Sequence, residues 1–130
     1  MTANAVRVLR IRAGNVEALA DLAASNTADA IWEALPFTVP ANIWGDEIYF
    51  TIPVGLEQDQ ARATVQLGEI GYWPPGQAFC IFFGRTPASS GNEIRAASVV
   101  NPLGKLTEVP VEKLRAIRAG TRVAIEELKD

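Results

Sequence analysis

Phe37-Thr38-Val39-Pro40-Ala41-Asn42-Ile43-Trp44-Gly45-Asp46-Glu47-Ile48-Tyr49-Phe50-Thr51-Ile52-Pro53 decides the fold class. Ile48 and Phe50 share one face, and Glu47, Tyr49 and Thr51 the other. That period of two belongs to a half-buried strand. Phe37 to Trp44 forms a second such run, and Gly45-Asp46 lies between them. Glycine at the first central position fits a type II′ hairpin turn. Toward the C-terminus, Val54 to Gln60 reads as a polar loop and Ala61 to Leu67 as another strand. Gly68 to Gly76 holds three glycines and two prolines, so it reads as irregular but stiff. Gln77 to Phe83 is the most apolar strand, of the kind buried on both faces. Arg85 to Glu93 is a polar loop and Ala96 to Val100 a short strand. Gly104, within Leu103 to Leu106, predicts a bulge or sharp bend. Arg122 to Leu128 is a last strand, with Val123 and Ile125 on one face.

Toward the N-terminus, Val6 to Arg12 and Val16 to Leu22 read as a hairpin about Ala13-Gly14-Asn15. Ser25-Asn26-Thr27 then offers three N-cap residues. Ala28, Ile31, Trp32 and Leu35 follow at helical spacing, and Pro36 ends the pattern. Trp32 is the expected core-facing anchor of this helix. A second helix starts at Pro110, carries Val111, Leu114 and Ile117 in register, and ends by Gly120. Strands and helices do not alternate in a βαβ rhythm, so a parallel α/β sheet is not expected. The economical arrangement is all-β: a closed, mainly antiparallel β-barrel with a short helix at each end, because closure removes exposed sheet edges.

Composition narrows the function classes. The 130 residues, 48% hydrophobic, 21% charged and with net charge −3, predict one globular domain over residues 1–130 rather than a disordered chain. No apolar run approaches the ~20 residues of a membrane span, and Met1 to Arg12 lacks the apolar core of a leader peptide. There is no histidine, which removes the commonest general base and metal ligand. Cys80 is the single cysteine, so an intrachain disulfide and a Cys-rich zinc site are excluded, and a reducing cytoplasm is the expected location. A sequence pI ≈ 5.0 argues against nucleic acid as partner. No phosphate-binding or dinucleotide fingerprint occurs, so no cofactor and no metal is expected.

Four segments together resemble a small prokaryotic family of uncharacterised cyclophilin-like proteins. They are Asn42 to Phe50, Gly68 to Gly76 with its Gly-Tyr-Trp-Pro-Pro-Gly run, Phe79 to Pro87, and Ala97 to Asn101 leading to Gly104-Lys105. The order of elements agrees across nearly the whole chain. The resemblance implies a cyclophilin-type barrel of about eight strands with two helices. Likeness to the cyclophilins that are peptidyl-prolyl isomerases is weaker. Leu103-Gly104-Lys105-Leu106 is similar to their Phe-Gly-Lys-Val ending, and Ala78-Phe79-Cys80 to their buried Gln-Phe-Phe strand. Their catalytic arginine has no counterpart in Asn42 to Phe50. Their groove glutamine and phenylalanine would fall near Ala78 and Cys80, and their groove histidine near Val100. Isomerisation of a peptide bond has a barrier of ~18–20 kcal/mol, and lowering it takes placed donors. The resemblance therefore implies the fold and not the activity.

Two clusters stand out as candidate sites. Trp44-Gly45-Asp46-Glu47 with Tyr49 puts a tryptophan, two carboxylates and a phenol on one short stretch. Carboxylates act as acid and base when their pKa values are driven apart, although at a hairpin turn charge is usually just solvated. Tyr72-Trp73-Pro74-Pro75 is the second cluster, where prolines stiffen the backbone that presents two aromatics. Here a structural role, with Trp73 covering one end of the fold, competes with a binding role. Arg85 offers a carboxylate- or phosphate-binding fork, against an ordinary surface ion pair. Asn101, with Ser98, offers an amide after a strand, against a turn before Pro102. Cys80 reads as a buried small hydrophobe. The expected groove therefore comprises Trp44, Glu47, Tyr49, Tyr72, Trp73, Arg85 and Asn101, with no catalytic residue. The expected function is non-catalytic binding of a small molecule or peptide. A divergent prolyl isomerase is the alternative, and a homodimer the third reading. Neither nucleic acid nor membrane is an expected partner.

Overall fold

Hydrophobic alternation along the first hairpin sets the inside of the molecule. In the computed structural model, which describes residues 7–128, β1 (Arg7–Ala13) and β2 (Val16–Leu22) pair antiparallel. Leu9, Ile11 and Ala13 point into the core together with Ala18, Ala20 and Leu22. Arg10 and Arg12 point outward to Glu126 of β10 (Arg122–Glu127), which pairs with the other edge of β1. Val6, the first residue of the expected hairpin, and the first six residues of the Met1 to Arg12 stretch read as lacking a leader's apolar core lie outside the described residues. Helix α1 (Asn26–Ala34) begins where the N-cap pattern places it, with the Ser25 hydroxyl accepting the Ala28 N–H at 3.0 Å. Ile31 is its buried anchor. Trp32 is partly buried and packs against the main core, with the Arg7 guanidinium 5.5 Å from its ring centroid. Trp32 thus faces the core as expected, beside the more deeply buried Ile31.

The strands β3 (Phe37–Pro40), β4 (Asn42–Ile43), β5 (Glu47–Thr51), β6 (Arg62–Val65), β7 (Glu69–Trp73), β8 (Ala78–Phe82) and β9 (Ile94–Leu106) complete the sheet. Helix α2 (Val111–Arg115) supplies Leu114 to the core. It stops well before Gly120, which instead takes a positive φ of 91° in the turn into β10. The strand order is β3-β10-β1-β2-β9-β7-β8-β5-β4, with β6 paired to β9 off this path, and every pairing is antiparallel.

The expected closed barrel of about eight strands is overturned. Ten strands are described, and the sheet is not closed: β3 and β4 are its terminal strands and no ladder joins them. The reason is local. The chain passes from one end of the path to the other through Ala41 alone. The Ala41 N–H donates to the Thr121 carbonyl at 2.8 Å, and its own carbonyl accepts the Gly120 N–H at 2.8 Å. Its backbone groups are thus spent on the turn before β10. The Gly45 turn then follows at once and limits β4 to two residues. Brevity, with Pro36 and Pro40 beside or on the other edge, protects these ends without closure.

Two further differences bear on the site. Gly68 to Gly76 is not irregular throughout, because Glu69–Trp73 is strand β7. Gly71, one of the three glycines behind the irregular reading, is a strand position that β9 approaches closely. A Cβ there would stand 3.1 Å from Val100 Cγ2 and 3.3 Å from the Asn101 carbonyl oxygen. The predicted bulge in β9 is present, where Ile70 pairs with Gly104 and Gly71 with Pro102, leaving Leu103 extra. Gly104 is required there, since its φ is 147° and a Cβ would meet the Asp21 carbonyl oxygen at 2.0 Å. Strand β9 has two jobs. Its second half runs in the main sheet between β7 and β2, while its first half pairs with β6. Ile94, Ala96 and Val100 of that first half pack on Ala78, Cys80 and Phe82 of β8, a second and smaller core.

Candidate functional site

The two faces of β5, β7 and β8 meet different surroundings. Ile48, Phe50, Ile70, Tyr72, Phe79 and Ile81 belong to the main core, with the Phe50 and Phe79 rings stacked 5.3 Å apart. The opposite face carries Glu47, Tyr49, Trp73, Cys80 and Phe82. Between this face and the first half of β9 lies a half-open cleft of about 230 Å³. Its walls are Trp44, Glu47, Tyr49, Trp73, Ala96, Ala97 and Val100. This is small for a ligand pocket, which usually measures ~300–1,000 Å³. The cleft suits a headgroup or one side chain rather than a long ligand.

Local structure places each wall. Trp44 and Glu47 flank the two-residue turn and exchange backbone hydrogen bonds, Trp44 N–H to Glu47 O at 3.0 Å and Glu47 N–H to Trp44 O at 3.2 Å. Gly45 takes φ 63°, with Arg85 O and Thr86 Cα only 3.0 Å from where a Cβ would sit. Trp73 ends β7, and its indole N–H donates to the Ser98 hydroxyl of β9 at 2.6 Å. The Pro74–Gly76 turn folds back beneath that ring. A Cβ on Gly76 would lie 2.7 Å from Trp73 Cε3, so the glycine of the Trp-Pro-Pro-Gly run makes room for the tryptophan before it.

Glu47 is the one ionisable wall residue besides Tyr49. It is 6% exposed, and among the described residues no arginine or lysine pairs with it. Burial pushes its pKa from the ordinary 4.5 to about 7, and a hydrogen bond with the Cys80 thiol pulls the other way. That thiol is itself held well above its ordinary range, first by burial and then by Glu47. Asp46, one residue away, is treated differently. Arg115 of α2 grips it with two hydrogen bonds, Nε to Oδ1 at 3.2 Å and Nη2 to Oδ2 at 2.9 Å. Its charge is spent on holding the turn to the helix.

Of the seven residues expected to form the groove, four come together: Trp44, Glu47, Tyr49 and Trp73. Tyr72 lies on the other face, fully buried. Its hydroxyl donates to the Val54 carbonyl at 2.6 Å and accepts the Leu56 N–H at 3.0 Å. Neighbours along a strand alternate faces, so Tyr72 and Trp73 cannot share a wall. Arg85 is exposed and donates to the Ser89 carbonyl at 3.2 Å. Asn101 is buried and ties the 52–61 loop to α1. Its amide accepts the Asp59 N–H at 2.8 Å and donates to Glu57 O at 2.9 Å and to Thr27 Oγ1 at 3.2 Å. Sequence reasoning missed the β9 wall of Ala96, Ala97 and Val100. The small residues of Ala96-Ala97-Ser98 are the only local signal, since side chains that short leave space beside a strand. Among the described residues no three acidic, cysteine or histidine side chains gather as a metal site. Among the described residues no helix is long and apolar enough to cross a membrane.

The family profile described as cyclophilin-like matches residues 7–126. The chain belongs to the cyclophilin-like family. Among solved structures, this cyclophilin-like chain is similar to the solution structure of a hypothetical protein from Archaeoglobus fulgidus, at 39% identity and TM-score 0.83. The match covers 98% of this chain and 100% of that one. No curated protein matches. Family membership accounts for the fold, while the chemistry of the cleft must be argued from its own side chains.

Proposed function

We propose that this cyclophilin-like domain is a non-catalytic binding protein whose cleft takes a small molecule or a short peptide segment. One observation carries the reading: three aromatic side chains and one buried carboxyl without a cationic partner line a single half-open cavity. Concave, mostly apolar sites with a few convergent polar groups are the usual form of ligand pockets. The matched prolyl isomerase positions supply further support. Ala78, Cys80 and Val100 stand near where the resemblance would put the groove glutamine, phenylalanine and histidine; Val100 lines the cleft, Ala78 and Cys80 are buried in the small core with it, and none is a strong donor. The buried free thiol of Cys80 fits a reducing, cytoplasmic setting. The whole chain acts in this reading as one domain.

Trp44→Ala tests it. Trp44 lines the cleft and is absent from both core clusters, so the variant should fold and lose ligand binding. The assay is NMR titration with Xaa-Pro peptides and a small-metabolite set, following the indole N–H signals. Magnetisation transfer between the cis and trans peaks of the peptide, at catalytic protein concentration, would instead establish an isomerase. Uncatalysed exchange takes tens of seconds or longer, so the two outcomes separate cleanly.

A further inference from the structure

We propose that the cleft selects a cationic headgroup, a quaternary or fully substituted ammonium, held against Trp44, Tyr49 and Trp73 with Glu47 as its counter-charge. This rests on the binding reading above and names the ligand class for that cleft. The ion pairs among the described residues join Asp29, Asp46, Glu69, Glu93, Glu112 and Glu126 to arginines. Glu47 is more than nine-tenths buried, opens onto the cavity and has no such partner. A carboxylate taken out of water is costly unless a cation accompanies it. Among the described residues none supplies that cation, so Glu47 either takes a proton or meets positive charge brought by something in the cleft.

The other walls favour a particular kind of cation. Aromatic faces attract cations through the ring quadrupole, tryptophan most strongly, and quaternary ammonium recognition uses such rings together. The one hydrogen-bond donor of the Trp73 side chain is already taken by Ser98, so what Trp73 offers a ligand is its π system. Ala96, Ala97 and Val100 add methyl groups and no acceptor. A guanidinium or primary ammonium needs several acceptors for its N–H donors, and this cleft has one carboxyl and one phenol. A substituted ammonium has few or no N–H groups to satisfy.

The pH dependence follows from the groups that face Glu47. These are the Cys80 thiol from β8 and the Tyr49 phenol on its own strand, while the walls from β7 and β9 carry no charge, and neighbouring Asp46 is held by Arg115. The cation selects the carboxylate form. Glu47 titrates near 7 when the cleft is empty, so the carboxylate is the minor form at pH 6 and the major one at pH 8. Apparent affinity should therefore rise up to about tenfold over that interval.

The test is an NMR titration with choline, with its uncharged isostere 3,3-dimethylbutan-1-ol, and with an Ala-Pro peptide, at pH 6 and pH 8. Choline is expected to move the Trp44 and Trp73 indole signals and leave Trp32 unmoved. It should bind more tightly at pH 8, and at least tenfold more weakly to Glu47→Gln, whose dispersed indole signals confirm folding. Equal affinity for the isostere, or no loss in Glu47→Gln, overturns the cation assignment and leaves the cleft as a binding site. So does movement of those signals by the Ala-Pro peptide alone. If none of the three probes moves Trp44 or Trp73, the cation assignment falls, and the binding reading falls with it only if the wider peptide and metabolite set is silent too.

Discussion

Glu47 and Glu69 are buried almost equally, 6% and 5% exposed, yet the fold treats them in opposite ways. Glu47 opens β5 opposite Phe82, and Glu69 opens β7 on the other flank of β8. The strand between them keeps the two carboxyls apart by about two strand spacings, roughly 9–10 Å. Strand β6 lies over Glu69 and delivers Arg62 to its Oε2, while the Gln66 N–H donates to Oε1 at 2.9 Å. No element delivers anything comparable to Glu47. A carboxylate that is part of the architecture receives its cation from the chain. One that is not faces a cavity and is held toward its neutral form. Equal burial thus marks a structural residue in one case and a candidate ligand contact in the other, and the partner rather than the burial tells them apart.

The largest effect should come from removing the partner that Glu69 has. Arg62→Met would leave a buried carboxylate without its cation and should destabilise the fold by about 3 kcal/mol, toward the low end for buried pairs because Arg62 is half exposed. Urea unfolding at pH 7.5 reads this directly. A loss under 1 kcal/mol would make the Arg62 contact an ordinary surface pair and dissolve the contrast.

Removing the charge from Glu47 should do the reverse. The unfolded group titrates near 4.5 and the folded one near 7, so between these values the folded chain holds a proton that the unfolded chain has released. The contribution of Glu47 to stability is therefore greatest below about pH 4.5, falls as pH rises, and levels off above about 7. Glu47→Gln lacks this dependence. It should be more stable than the parent by up to about 3 kcal/mol at pH 8 and close to equal to it at pH 4. Denaturant midpoints at the two pH values decide, and parallel pH profiles would remove the case for an unpaired, burial-shifted Glu47.

A smaller change sharpens the picture of the cleft itself. Ser98→Ala removes the acceptor for the Trp73 indole and should cost about 0.5–1 kcal/mol, the worth of one partly exposed hydrogen bond. The Trp73 N–H resonance should move and exchange faster with solvent while Trp32 stays unchanged. An unmoved Trp73 signal would mean that Ser98 does not orient the ring.

Much of this was legible along the chain. The Gly45-Asp46 hairpin, the Ser25 cap, the bulge at Leu103 and the buried β8 all follow from short-range rules of alternation, turn chemistry and capping. The cleft was half legible. Trp44, Glu47 and Tyr49 lie on one strand and its turn, where alternation alone assigns a common face. Trp73 reaches them because β7 and β5 both pair with β8. Tyr72 was misplaced among them because adjacent aromatics look alike in a sequence, although a strand sends them to opposite sides. Calling Gly68 to Gly76 irregular hid that strand. Gly71 looks like a break until the backbone of β9 is seen crossing close above it.

The amino-acid sequence by itself determined the all-β class, the two helices, the turns and the membership of the cyclophilin-like family, since each depends on residues near one another or on a marked run such as Gly-Tyr-Trp-Pro-Pro-Gly. Only the tertiary structure decided that the sheet stays open, because closure depends on where Ala41 spends its backbone hydrogen bonds, on a turn 80 residues away in the chain. Only the tertiary structure gave the two buried glutamates different fates. Arg62 stands close to Glu69 in the chain and again in space, whereas the absence of a cation beside Glu47 is a property of every strand packed around it.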